Sequence, residues 1–408
     1  MRSGPSKGLL PLGLIFFCLE AIFLLSGSPV AARRQQQCKL QPRGNQVTLQ
    51  APTNTGIAGG AEPSATAIAH SGGWLVLEPW ITPSLFQSTN NPNIVDEFTL
   101  GQLLDPETAQ IPIGYWSIPL DSSSTSGWAE KYDINVILDL HGAPGSQNGY
   151  DNSGQRTSNP VWALNPSNVT RTVDTLRFLA NEVGDQISVL ELLNEGAGFL
   201  GNNWASVIRQ FFSTAYGSVR SAVGNDLNMM IGDAFLGVSS WTDFLTAPQG
   251  TGVLMDFHEY QIFSDLELDR TFDEHISFAC TYMQSLGSFA AGNLWTVVGE
   301  WSNAVTDCAP WLNGRNTGAR WDGSFPGSQT HGNCTGFTGN YTGWTQDYKD
   351  FLRKYWEVQV EVGENVNGWI FWTWKAENAD EWSYQRGLQG GWIPQDPTDR
   401  MYPGICSS

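Results

Sequence analysis

Positive charge is what this chain has least of. Lys and Arg together number 21 against 40 Asp and Glu, for a formal net charge of −19. Nucleic acids and anionic membranes are held by clustered basic side chains, so neither is expected as a partner. Zinc-type pairing is also absent: none of the six cysteines stands in CxxC spacing. No His/Asp/Glu group has metal-ligand spacing, so neither a metal nor another cofactor is implied. There is no internal repeat and no sign of a second catalytic domain. The one long apolar run, residues 9–25, is interrupted by Glu20, which argues against a spanning helix of about 20 apolar residues. With Arg2 and Lys7 before it and Val30-Ala31-Ala32 after it, residues 1–32 read as a secretory signal peptide, and Arg33-Arg34 as a dibasic processing site.

Aromatic side chains are plentiful, with 18 Trp and 20 Phe. Flat rings stack on sugars, so the excess suits a carbohydrate site as well as a large core. Forty-four glycines and 21 prolines indicate many loops. Cys18 falls in the signal, and four of the remaining five cysteines lie in the last third, which suggests two disulfides there and an unpaired Cys38. Asn168, Asn333 and Asn340 open N-glycosylation sequons. These features together describe an exported protein of the extracellular space or cell wall.

Residues 33–70 are polar and without period, an N-terminal arm. Residues 71–408 alternate apolar strands with amphipathic stretches, an α/β signature. Strands are expected at Trp74–Leu77, Ile111–Ile113, Asn135–Leu140, Val189–Leu193, Met229–Ile231, Val253–Phe257, Trp295–Val298 and Gly368–Trp372. Helices are expected at Asn168–Val183, Ala205–Val223, Phe272–Leu286 and Thr345–Val362. Eight such strands fit a (β/α)8 TIM barrel.

Two of the apolar runs end in acids, VLELLNEGAG in Glu195 and LWTVVGEWSN in Glu300. Barrel active sites are built at the C-terminal strand ends, and paired carboxylates there suit glycoside hydrolysis. Around them run GGWLVLEPWITPSLF, IPIGYW, ILDLHGAPGSQNGYDNSG, IGDAF, MDFHEYQIF, GEWSNAVTDCAPWLNG and GWIFWTWKAENADEW. From about Gly72 to the C-terminus this series closely resembles the fungal exo-β-1,3-glucanases of glycoside hydrolase family 5.

The resemblance implies Glu195 as acid/base and Glu300 as nucleophile, with His258 and Tyr260 orienting the nucleophile. A drier setting and a negative neighbour are expected to raise the Glu195 pKa. Asn194 stands where the family binds the sugar 2-hydroxyl, Glu78 and His141 where it holds the terminal glucose, and Trp372 where it places a stacking platform. Tyr150 and Phe263 take the places of an aromatic pair at the pocket entrance. Asp151 and Asn152 serve either sugar or a turn, and Trp374 is as readily core as platform. His275 and His331 receive no role. The family suggests Cys280–Cys406 and Cys308–Cys334, although sequence alone allows other pairings.

Three departures stand out. ATAIAHSGGW replaces the family's opening strand, only VDEFTLGQLLDPETAQ precedes IPIGYW, and residues 117–127 alone separate Trp116 from Trp128. The first and second β/α region is thus locally incomplete. Gln110 stands where the family has an arginine beside the nucleophile, so Glu300 should lose a neighbour that keeps it ionised. The expected function is a retaining exo-β-1,3-glucanase, a monomer acting on β-glucan polysaccharide or oligosaccharide. The alternatives are a β-1,6-glucanase or broad β-glucosidase on the same scaffold, and a non-catalytic glucan-binding wall protein.

Overall fold

The computed structural model describes residues 17–20, 67–69, 76–103 and 135–407. Its strands are β1 (Phe17–Glu20), β2 (Ala67–Ala69), β3 (Val136–Asp139), β4 (Val189–Glu191), β5 (Asn228–Gly232), β6 (Val253–Glu259), β7 (Trp295–Trp301) and β8 (Trp369–Phe371). All pair in parallel in one sheet, in the order β1-β3-β4-β5-β6-β7-β8-β2. From β3 to β8 the spatial order is the chain order, as repeated strand–helix units produce when each crossover has the same hand.

The strands are apolar on both faces because both faces are covered. One face gathers Ile137, Val189, Met230, Leu254, Val297 and Ile370, one residue from each of β3 to β8, into a separate cluster. That layer is how the inside of a barrel-type sheet is filled. The other face packs on the helices in a larger core. Helix α1 (Pro166–Val183) starts with proline in its first turn behind the N-cap Asn165, whose side chain accepts from the Ser167 N–H. Helix α2 (Asn202–Val223) buries Trp204, Ile208, Phe211, Phe212, Ala215 and Val219, the three- and four-residue spacing of an amphipathic stripe. Each large apolar side chain so buried contributes about 1.5–3 kcal/mol of transfer free energy.

Several expectations are corrected. The opening strand is Ala67–Ala69, pairing with Trp369–Phe371; Val76 and Leu77, the described end of the expected Trp74–Leu77, are not in a strand. Ile111–Ile113, Gln110 and Cys38 lie outside the described residues. Phe17–Glu20, inside the apolar N-terminal run, pairs with Val136–Asp139 at the edge of the sheet. The expected helix Phe272–Leu286 divides into α3 (Phe272–Cys280) and α4 (Tyr282–Gly292). The last long helix, α5, spans Gln346–Glu364. Disulfides join Cys280 to Cys406 and Cys308 to Cys334, with Cα separations of 5.2 and 5.5 Å. No described helix is long and apolar enough to cross a membrane. Much of the tryptophan is structural: Trp162, Trp241, Trp301, Trp356, Trp369, Trp382 and Trp392 are fully buried.

Candidate active site

The site rises from the C-terminal ends of β3, β4, β6 and β7. Strand β7 runs longer than expected, so Glu300 stands within it rather than in the loop beyond. Strand β6 likewise extends through His258. Glu195 lies four residues past the end of β4, at φ +43°, a left-handed conformation costly for a non-glycine residue and often found at functional sites. One carboxylate oxygen each from Glu195 and Glu300 and one His258 nitrogen all lie within 4.8 Å of one another. The sequence spacing gave no hint of this three-donor group, which chain folding assembles from β4, β6 and β7.

Hydrogen bonds fix the group. His258 Nδ1 lies 2.9 Å from Glu195 Oε1 and 3.4 Å from Glu300 Oε2, and Nε2 lies 2.8 Å from Asp256 Oδ2. Carboxylates only accept, so both ring nitrogens must donate, which makes His258 an imidazolium bridging three acids. Its pKa is accordingly well above the ordinary value: burial lowers it, but Glu300 and Asp256 raise it by more. The Asn152 amide donates to Glu195 Oε2 at 2.5 Å, and the Tyr260 hydroxyl donates to Glu300 Oε2 at 2.9 Å.

The ionisation pattern reverses the expectation for the two acids. Burial pushes Glu195 up, but the His258 hydrogen bond and charge, His141 and Asn152 bring it below the ordinary carboxyl value. Burial also pushes Glu300 up, and it reaches about 8; His258 opposes the shift, and Glu195 and Asp256 add to it. We assign the pair's shared proton to Glu300, because the imidazolium sits closer to Glu195 and Asn152 gives Glu195 a further donor. Glu191, 2% exposed, is raised well above the ordinary value by burial and then by Asp139 and Asp256.

The remaining expected residues fall around this centre. His141 Nδ1 lies 2.6 Å from Asp139 Oδ2, and Nε2 lies 3.3 Å from the Asn194 amide nitrogen. Its ring is stacked on Trp372 at 5.4 Å and 10°. Trp374 packs instead against Tyr384 and the main core. Glu78 is buried and accepts from the Trp80 indole at 2.9 Å; burial takes its pKa to about 8 against the opposing charge of His141. Tyr150 and Phe263 are 50% and 44% exposed, the accessibility an entrance residue needs. Phe263 also lies edge-on to Tyr260 at 5.8 Å. Asn333 and Asn340 are exposed, whereas Asn168 is half-buried.

Sequence reasoning missed Asp139, Gln147 and Asp256. The Gln147 amide donates to the carbonyls of His141 and Asn194 at 2.7 and 3.1 Å, tying the exits of β3 and β4 together. The two aspartates had a legible signal. Asp139-Leu-His141 and Asp256-Phe-His258 repeat one pattern, and period-2 alternation puts both members of each pair on one strand face. Asn152, left between sugar and turn, does belong to the acid pair.

Residues 124–321 match the cellulase family, glycosyl hydrolase family 5. The glucan 1,3-beta-glucosidase of Blumeria graminis is 37% identical, covering 83% of this chain and 88% of its own. The enzyme of the same name from Kluyveromyces lactis is 38% identical, covering 83% and 90%. Among solved structures, rutinosidase from Aspergillus niger superposes with a TM-score of 0.57 at 17% identity, over 81% of this chain and 98% of that one, a likeness of fold alone. The chain thus belongs to glycosyl hydrolase family 5, beside the fungal glucan 1,3-beta-glucosidases, and is a glycoside hydrolase.

Proposed function

We propose that this chain is an exported, retaining exo-β-1,3-glucanase on a (β/α)8 barrel, acting as a monomer on the ends of β-glucan chains. The observation that carries the reading is the convergence of Glu195 and Glu300, with one oxygen of each within 4.8 Å of the other, compatible with the carboxyl separation of about 5–5.5 Å that double displacement requires. Glu300 attacks the anomeric carbon while Glu195 protonates the departing glycosidic oxygen. Water, deprotonated by Glu195, then releases glucose and frees Glu300. Asn194 binds the 2-hydroxyl, Glu78 and His141 hold the terminal sugar, Trp372 stacks on it, and Tyr150 and Phe263 receive the next glucose. Laminarin tests this: glucose should appear first as the β-anomer, and initial α-glucose would remove the mechanism.

Export agrees with the two disulfides, and Asn168, Asn333 and Asn340 are the glycan acceptors. In this reading residues 1–32 are removed and the catalytic domain runs to residue 408 from strand Ala67–Ala69, which pairs with β8 and so takes the end of the expected 33–70 arm into the sheet. Removal takes strand Phe17–Glu20 away, so the edge of β3 must pair with another segment, the role expected of Ile111–Ile113.

The reversed ionisation favours a second reading, a glucan binder with little hydrolysis. In the one-proton state the productive form carries the proton on Glu195, yet the site holds it on Glu300. Glu195 is lowered and Glu300 raised, so the productively protonated form is the minor one. A chain that retains laminarin on a column yet releases no sugar is the binder.

A further inference from the structure

His331, to which the sequence reading gives no role, sits outside the acid centre and between two elements that frame its entrance. Its Nε2 lies 2.9 Å from Asp265 Oδ1 and its Nδ1 lies 2.8 Å from Asp269 Oδ1. As at His258, two acceptor-only partners require both nitrogens to donate, so the ring is an imidazolium. Its side chain is 5% exposed. Asp265 and Asp269 bracket a single helical turn, Asp265–Leu268, capped by the Ser264 hydroxyl. Only Ser264 separates that turn from Phe263, and Glu267 on it accepts from the Phe263 backbone N–H at 2.9 Å.

The other side of the contact is equally fixed. His331 and Gly332 both donate backbone N–H groups to the Trp321 carbonyl at 2.9 Å. The Trp321 ring packs so closely that a β-carbon at Gly332 would come within 2.6 Å of it. Trp321 in turn donates its backbone N–H to Asp307 at 3.0 Å, and the neighbouring Cys308 is joined to Cys334. The loop after β7 is thus tied down around His331 by these hydrogen bonds and the disulfide. An isolated four-residue turn has too few internal hydrogen bonds to hold itself.

We propose that His331 is a positioning residue: its imidazolium, seated on the disulfide-closed loop after β7, clamps the Asp265–Leu268 turn and so sets Phe263 for the second glucose of the substrate. This rests on the reading of Phe263 as a glucan-stacking residue. It assigns His331 an effect on oligosaccharide affinity rather than on the chemical step.

The test uses the full secreted chain with both disulfides intact, every protein carrying E300Q so that the triose is bound and not consumed, comparing wild type at positions 265, 269 and 331 with H331Q and the double variant D265N/D269N. Laminaritriose and methyl β-glucoside are titrated by calorimetry, and amide hydrogen exchange is followed over residues 263–269. Both variants should bind laminaritriose roughly 3- to 10-fold more weakly, the scale of one loosened aromatic contact, with methyl β-glucoside affinity unchanged. Exchange over 263–269 should accelerate in both. Unchanged triose affinity, or equal losses for both ligands, overturns the proposal. If wild type binds no triose, the glucan reading falls by itself, and exchange still decides the clamp: unaltered protection in H331Q and D265N/D269N refutes it.

Discussion

Glu381 is 1% exposed, and only marginal contacts from the Thr338 side chain and its own backbone N–H oppose its burial. Burial lifts its pKa to about 8. The folded protein therefore holds a proton that the unfolded chain releases near pH 4.5. The stability this contributes is complete below pH 4.5 and is lost as pH rises through about 8. E381Q keeps the shape and removes the ionisation. It should flatten the decline in stability between pH 5 and 8 by an amount on the order of a few kcal/mol, read from urea unfolding at several pH values. Parallel wild-type and E381Q curves would show that Glu381 ionises in the fold. Asn168 offers a second residue-scale outcome. Its Nδ2 lies 2.5 Å from where a β-carbon on Gly145 would stand, so a glycan there must be added before α1 docks. Peptide mapping should find high occupancy at Asn333 and Asn340 and low occupancy at Asn168. Equal occupancy at all three would mean that this packing forms after modification.

At the scale of elements, legibility followed the physics of each segment. Runs such as Val136–Asp139 and Val253–Glu259 were readable because parallel strands covered on both faces are continuously apolar. Their ends were not, since whether a strand stops at Phe257 or continues through His258 depends on a neighbour that pairs with it, here Glu300 and Trp301 of β7. The break between α3 and α4 at Thr281 left no proline or glycine to mark it. The acid pair was legible from position in matching motifs, but its ionisation was not. That depends on which carboxylate sits nearer to His258, a difference of 2.9 against 3.4 Å. The disulfides belong to this scale too. Cys280–Cys406, closing a separation of 126 residues, ties the end of α3 to the C-terminal tail, whose Ile405 and Cys406 also donate to Glu361 on α5. C280S/C406S should cost about 4–5 kcal/mol on the chain-entropy estimate. A loss under about 1 kcal/mol in chemical unfolding would show that the Glu361 contacts alone hold the tail.

The whole molecule couples the acid centre to the completeness of the sheet. Four buried carboxylates, Asp139, Glu191, Asp256 and Glu300, each keep one oxygen without a hydrogen-bond partner; burial drives Glu191 and Glu300 upward, with Asp139 and Asp256 adding to the first and Glu195 and Asp256 to the second against His258. A cation supplied from the neighbouring part of the sheet would lower Glu300, typically by about 1–3 units for an arginine at close range, and return the shared proton to Glu195. The family resemblance puts that arginine where Gln110 now stands. A version with the two shortened segments rebuilt from a relative should therefore hydrolyse laminarin faster, by on the order of 10–10³-fold in kcat. The plateau of rate against pH should be higher in the rebuilt enzyme rather than merely displaced, because within the one-proton window pH does not alter how the proton divides between the two acids. A rebuilt partner for the edge of β3, which signal removal leaves without strand Phe17–Glu20, should also raise Tm. Equal rates and equal melting temperatures for the two chains would show that the short segments are harmless and that the present arrangement is already the competent enzyme.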